Sequence, residues 1–214
     1  MDRPVADFSL IETLRYDPGA GFIRLRLHLA RLERSARRLG FPHPKDVAAR
    51  LADAVADTIG PQRVRLTFDR AGRIAVTRAD FVPLAEGTVW RVRVAQTRLD
   101  SGDTLLRAKT TLRAVYERAR AEFSSTEADE VLLLNESDEV CEGAITSVFV
   151  DDGSGLLRTP PIACGLLAGV LRNELICARK ARTGRLALAD LANGKLLVGN
   201  SLRGLIPAVL VADE

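Results

Sequence analysis

Only Lys45, Lys109, Lys180 and Lys195 are lysines among the 31 basic residues, so an amine nucleophile has few candidates. Lys109 has the densest setting, Lys109-Thr110-Thr111-Leu112-Arg113, with Arg107 also close by. A lysine among cationic or apolar neighbours can lose its proton near neutrality, serve as a base and condense with carbonyl groups. Glu142, in Val140-Cys141-Glu142-Gly143, offers a carboxylate, and Arg31 offers a guanidinium suited to a dianion. Each also fits a plainer description. A lysine before an amphipathic helix is usually solvated, Arg31 belongs to an arginine-rich helical face, and Glu142 fits the solvent side of a strand. Other chemistries lack their residues. His28 and His43 are the only histidines, and neither has a persuasive triad partner. No metal-spaced His/Cys cluster, glycine-rich nucleotide fingerprint or GxSxG elbow occurs, so no metal is expected.

The 214 residues suffice for one large or two small core-forming units, and 47% hydrophobic with 28% charged residues is an ordinary globular balance. A net charge of +3 comes from 31 bases interspersed with 28 acids. The best nucleic-acid candidate is the face Arg31, Arg34, Arg37 and Arg38, but Glu33 interrupts it and aromatic residues are missing, so no nucleic-acid partner is expected. Residues 164–171 form the longest apolar candidate and are too few to span a bilayer, so no membrane association is expected. Met1-Asp2-Arg3-Pro4 shows no secretory character. Cys141, Cys164 and Cys177 show no close pairing, which predicts buried thiols in a reducing cytoplasm.

These residues must be positioned by a mixture of strands and helices. The spacing predicts a strand from Phe8 to Tyr16, closed by Asp17-Pro18-Gly19, then a half-buried strand over 22–27. Leu29, Leu32, Ala36 and Leu39 take helical spacing from His28 to a stop at Gly40, and a second helix is expected over 46–59. Val64, Leu66 and Phe68 alternate into a hairpin with Ile74 and Val76, and Trp90, Val92 and Val94 mark another strand. Residues 97–104 read as a linker, dividing an N-terminal lobe (1–98) from a C-terminal lobe (99–214). Beyond it come a helix over 110–122, strands over 130–135 and 140–150, a short strand ending Thr159-Pro160-Pro161, a helix from Gly169, and strands near 196–198 and 208–211. Without regular βα alternation the fold class is α+β in two lobes.

Taken in order, the motifs resemble one family. His28-Leu29-Ala30-Arg31-Leu32, Ser35-Ala36 and Leu39-Gly40-Phe41 are similar to the N-terminal pattern of the class IV aminotransferases, the fold-type IV pyridoxal phosphate enzymes. Lys109-Thr110-Thr111-Leu112-Arg113 resembles their Schiff-base lysine segment. Ala128-Asp129-Glu130-Val131 to Asn135 resembles their ADE strand, and Val140-Cys141-Glu142-Gly143 running to Phe149 their EG strand. Gly165-Leu166-Leu167-Ala168-Gly169-Val170-Leu171-Arg172 and Gly199-Asn200-Ser201-Leu202-Arg203-Gly204 complete the set.

The resemblance implies pyridoxal 5'-phosphate, with Lys109 as the covalent anchor and proton carrier and Glu142 facing the pyridinium nitrogen. It implies phosphate binding by Arg31, the backbone of Val170 and Leu171, and Ser201, with Thr146, Ser147 and Arg113 among the cofactor contacts. Relative to the family pattern the N-terminal lobe is expected to be shortened, lacking a first hairpin. Ala114 stands where transaminases carry tyrosine, while Arg113, Ser201 and Thr13 match lyase-type members, Thr13 near the substrate. The expected activity is that of a 4-amino-4-deoxychorismate lyase, eliminating pyruvate to leave 4-aminobenzoate in folate biosynthesis. The alternative is a branched-chain or D-amino acid aminotransferase, with Arg15 or Arg65 clamping a substrate carboxylate. An inactive binding protein is a further alternative, opposed by the joint presence of Lys109, Glu142 and Arg31. The resemblance also implies a homodimer acting on a small amino-group substrate.

Overall fold

The computed structural model describes residues 7–211; the N-terminal stretch 1–4 lies outside them. The chain divides into Met1–Val82 with Ala108–Leu112, and Pro83–Arg107 with Arg113–Glu214. The boundary therefore falls at Val82, not at residue 98. Trp90–Leu99 is one continuous strand of the second unit's sheet, and the expected linker is partly that strand. Its polar end is held in place: Glu122 accepts from the Thr97 N–H (2.9 Å) and hydroxyl (2.5 Å). Among the described residues no helix is long and apolar enough to cross a membrane.

In the first unit, β1 (Leu10–Asp17) pairs antiparallel with β2 (Gly21–Phe22), and two helices follow, α1 (Leu25–Leu39) and α2 (Val47–Asp53). Strands β3 (Gln62–Phe68) and β4 (Ile74–Asp80) complete a sheet of order β2-β1-β3-β4. The strand expected over 22–27 is absent beyond Phe22. Arg24 adopts a left-handed conformation (φ 59°) and α1 starts at Leu25. The alternation Ile23, Leu25, Leu27 is too short to override the helical series Leu25, His28, Leu32, Ser35 and Ala36, whose last four members are buried. Gly40, at φ 67°, ends α1 where an L side chain would be strained, and the Phe41 N–H reaches back to the Ala36 carbonyl at 2.9 Å. The expected second helix stops early. Thr58 Oγ1 donates to the Val55 carbonyl three residues back, and Arg78, from β4, donates to that of Ala54, so side chains satisfy these carbonyls beyond Asp53. The arginine face is also split: Arg31 is buried, whereas Arg34, Arg37 and Arg38 are exposed.

The second unit holds β5 (Trp90–Leu99), α3 (Ala114–Ala121), β6 (Glu130–Asn135), β7 (Val140–Gly143), β8 (Ser147–Asp151), β9 (Leu157–Thr159), α4 (Val170–Cys177), β10 (Ala181–Thr183), α5 (Leu188–Asn193), β11 (Lys195–Asn200) and β12 (Gly204–Leu210). Its mixed sheet runs β10-β9-β8-β11-β12-β5-β6-β7. Strands β7 and β8 lie far apart in that order yet are joined by Ala144-Ile145-Thr146, so the sheet curls round. One core contains Val92, Leu132, Val148, Val198 and Ile206; another contains Leu99, Tyr116, Leu133, Cys141 and Leu166. Such fully buried aliphatic side chains each contribute roughly 1.5–3 kcal/mol.

The strand expected over 140–150 is broken at Ala144–Thr146 by the buried Glu130 carboxylate, which accepts from the Ile145 N–H at 3.1 Å and the Thr146 hydroxyl at 2.8 Å. The helix expected over 110–122 begins only at Ala114, because Thr110 bridges to Leu10. Cys141 and Cys164 are buried as expected, but Cys177 is exposed at the end of α4.

Candidate active site

In the first unit the segment around Lys109 adds to the edge of β1. Leu10 bridges Thr110, the Ile11 N–H donates to the Lys109 carbonyl at 2.8 Å, and the Thr111 N–H donates to the Ser9 carbonyl at 2.9 Å. Lys109 thus stands opposite Ile11. Cross-strand partners share a sheet face, and residues two apart along a strand do so as well. Half-buried Lys109 therefore lies on the face that carries Thr13 and Arg15. Thr13 is opposite Arg65, and Arg15 is opposite Arg63. The structure brings Lys109, Thr13, Arg15 and Arg65 to one face of one sheet.

Arg31 is reached from the other side of β1, through Glu12. Its Nε and Nη2 donate to the two Glu12 oxygens at 2.8 and 2.6 Å, and His28 Nδ1 donates to Glu12 Oε2 at 2.6 Å. All three side chains are buried. Burial works to raise the Glu12 pKa, but the Arg31 charge and the hydrogen bonds from His28 and Arg31 outweigh it and hold the carboxyl at about 2. Nη1 is the Arg31 nitrogen that takes no part in the bonds to Glu12. Glu12 carried no signal as a site residue in the sequence, since an acid in an apolar strand has no partner until α1 packs on it.

In the second unit Glu142, on β7, is buried, and its Oε1 accepts from the Tyr116 hydroxyl at 2.7 Å and the Leu167 N–H at 3.2 Å. Burial first, then the Glu142 charge, pushes the Tyr116 phenol up, so it remains a donor. Arg113 lies over the Tyr116 ring, 4.6 Å from its centroid, and donates to the Ala144 carbonyl at 2.5 Å. Tyr116 is a functional candidate that sequence reasoning missed. Its helical spacing reads as core, and only the fold shows its hydroxyl aimed at Glu142.

A second cluster of the same unit gathers Ser147, Gly169, Val170, Leu171 and Gly199. Ser147 pairs with Gly199 across β8 and β11. A methyl at Gly169 would lie 2.6 Å from Ser147 Oγ; one at Gly199 would lie 2.7 Å from the Gly204 carbonyl and 2.9 Å from Leu171 Cδ2. The amides of Val170 and Leu171 open α4 with no partner inside the helix. Ser201, buried, follows β11 directly. Hydroxyls, helix-end amides and a cradle that only glycine permits suit a phosphate. The buried Glu142 carboxylate suits a protonated ring nitrogen. These residues fit pyridoxal phosphate. The Thr146 hydroxyl is committed to Glu130.

A sequence profile of the class IV aminotransferases matches residues 9–211. A structure of a Mesorhizobium loti protein, provisionally named an amino-acid aminotransferase, is similar at 50% identity and TM-score 0.93, covering 96% of this chain and 100% of its own. A protein provisionally named a 4-amino-4-deoxychorismate lyase is similar at 27% identity and TM-score 0.82, covering 97% of this chain and 88% of its own. A Mycobacterium tuberculosis hypothetical aminotransferase in a pyridoxal phosphate-bound form shares the fold at 22% identity and TM-score 0.81, with 98% and 86% covered. Among curated proteins none matches.

Proposed function

Because this chain belongs to the class IV aminotransferases and is a pyridoxal phosphate-dependent enzyme, we propose that it is a 4-amino-4-deoxychorismate lyase. The observation that carries this reading is the shared sheet face of Lys109 and Thr13, which follows from the Leu10–Thr110 bridge. A hydroxyl on the face of the reactive amine suits a substrate whose ring proton must be taken and whose ether bond must break. Bound pyridoxal phosphate supplies an electron sink for the carbon that loses its proton.

Lys109 Nζ would anchor the cofactor and would take the proton from the ring carbon that bears the substrate amine. The bond between the ring carbon and the enol-ether oxygen breaks with its electron pair on that oxygen, so the group leaves as enolpyruvate. The proton that Lys109 took, or one from water, adds to its methylene carbon to give pyruvate, and the ring becomes aromatic. Thr13 orients the substrate, and Arg15 or Arg65 holds a carboxylate. Glu142, held by Tyr116 and Leu167, keeps the ring nitrogen protonated, and Arg113 steadies Tyr116. Arg31 through Nη1, Ser147, Ser201 and the amides of Val170 and Leu171 hold the phosphate; Thr146 contributes by keeping Ser147 in place. The enzyme acts as a cytoplasmic homodimer, the arrangement implied by the motif pattern, and sedimentation tests the dimer.

The protein reconstituted with pyridoxal phosphate is given 4-amino-4-deoxychorismate without any keto acid. Pyruvate and 4-aminobenzoate are expected in equal amounts, and none with Lys109→Ala. A strict requirement for 2-oxoglutarate overturns the lyase reading in favour of transamination. The name of the 50% identical Mesorhizobium loti protein favours that second reading.

A further inference from the structure

Strands β7 and β8 do not pair with one another, so no ladder of main-chain bonds sets the distance from Glu142 to Ser147. Glu142 is registered against Leu133 on β6, and Ser147 against Gly199 on β11. Only Gly143 and the turn Ala144-Ile145-Thr146 join them, and that turn is held from several sides. The Ala144 N–H donates to the Val131 carbonyl at 2.9 Å, and the Gly143 N–H donates to the Thr146 carbonyl at 2.8 Å. Arg113 donates to the Ala144 carbonyl, and Asn200 Nδ2 donates to that of Ile145 at 3.2 Å.

A buried carboxylate sits at the centre of these contacts. Glu130 is fully buried, and each of its oxygens accepts two hydrogen bonds. Oε2 accepts from the Ile145 N–H at 3.1 Å and the Thr146 hydroxyl at 2.8 Å. Oε1 accepts from the Val131 N–H at 2.9 Å and Arg120 Nη1 at 3.3 Å. One oxygen thus serves the turn, and the other ties it to β6 and α3. The space is full: a methyl at Gly143 would lie 2.8 Å from Glu130 Oε2 and closer still to Thr146 Oγ1. Burying a carboxylate is costly, and main-chain bonds alone can close a turn. A carboxylate with four fixed donors holds a single geometry, as the groups supporting a binding site must.

We infer that Glu130 is a positioning residue for the cofactor. By fixing Ile145 and Thr146 it sets the separation between Glu142, which takes the ring nitrogen, and Ser147, which takes the phosphate. One pyridoxal phosphate can then meet both at once. The inference rests on the reading of Glu142 and Ser147 as the residues at those two ends. Two contacts on one ligand reinforce each other only while their spacing matches the ligand, and a spacing that misses leaves one of them unmade. In Glu130→Gln the amide nitrogen must face either the Val131 N–H or the Ile145 N–H, donor against donor, so β6 or the turn must move.

The test is nitrogen and phosphorus NMR of the holoenzyme carrying isotope-labelled cofactor, one resonance reporting the ring nitrogen and the other the phosphate. In the unaltered protein both should stand away from those of pyridoxal phosphate condensed with a simple amine in water. At saturating cofactor, Glu130→Gln and Thr146→Val should each return one resonance to that solvent position and keep the other, and should weaken cofactor binding about tenfold. Thr146→Ser, which keeps the hydroxyl that bonds to Glu130, should keep both resonances and the affinity. A residue serving stability alone would lower the melting temperature and leave both resonances in place. Both resonances unmoved, or both moved together, in either Glu130→Gln or Thr146→Val overturns the proposal, as does Thr146→Ser behaving like Thr146→Val. If Glu130→Gln does not fold, the two Thr146 variants decide by the same criteria. The reading of the two ends fails separately: the ring resonance then stays in place in Glu142→Ala, or the phosphorus resonance in Ser147→Ala, whatever the Glu130 variant does.

Discussion

The phenol of Tyr116 donates to Glu142 Oε1 at 2.7 Å, across 26 residues of sequence. With the Leu167 N–H on the same oxygen, the carboxylate has a fixed orientation in a buried site. A carboxylate that must face a ring nitrogen needs such support, since a buried charge that can rotate wastes its field.

Tyr116→Phe removes that donor and changes little else. It should lower turnover about tenfold and shift the visible absorption of the bound cofactor, with the melting temperature nearly unchanged. Because burial and Glu142 push the phenol upward, the unaltered protein should show no activity limb from Tyr116 as pH rises through the ordinary tyrosine range. Unchanged turnover and spectrum in the variant would remove Tyr116 from the site.

Glu12 predicts a signature in acid. Its carboxyl is depressed to about 2 from an ordinary 4.5, so the stability it contributes is present in full above the ordinary value and is lost as pH falls towards 2. Glu12→Gln should flatten the acid limb of a stability-against-pH curve. Glu12→Ala leaves Arg31 buried without its partner and should cost about 3–5 kcal/mol at neutral pH. Urea unfolding of the three proteins across the acid range measures both effects.

Gly199→Ala tests the cradle. The added methyl meets the Gly204 carbonyl and Leu171 Cδ2, so β11 or α4 must shift, at about 1–3 kcal/mol. Pyridoxal phosphate affinity should fall with stability. Gly87→Ala, where no atom lies within 4 Å of the new methyl but φ is 75°, separates backbone strain from crowding. It should lose stability and keep cofactor affinity.

The cysteines should react unequally. Cys177 is exposed, while Cys141 and Cys164 are buried and their thiols are raised, by desolvation first. A thiol reagent added to the native protein should label Cys177 rapidly and the other two only on unfolding. Rapid labelling of all three would contradict the packing around Cys141.

Local chemistry made part of this molecule readable in advance. The β3–β4 hairpin follows from alternation around Asp69-Arg70-Ala71-Gly72, Gly40 stops α1, and α4 opens after Gly169, because each depends on residues within a few positions of one another. Class IV membership was also legible, since several motifs in order carry it without any contact being known. The limits of α1 were not legible, because Leu25 satisfies a strand period and a helix period alike until packing against β1 selects one. Glu12 and Tyr116 gained roles only through partners 19 and 26 residues away. The face shared by Lys109, Thr13, Arg63 and Arg65 depends on register. Alternation within a strand groups its residues into two faces, but only the pairing of strands decides which faces coincide, and a slip of one residue would turn Lys109 away from Thr13.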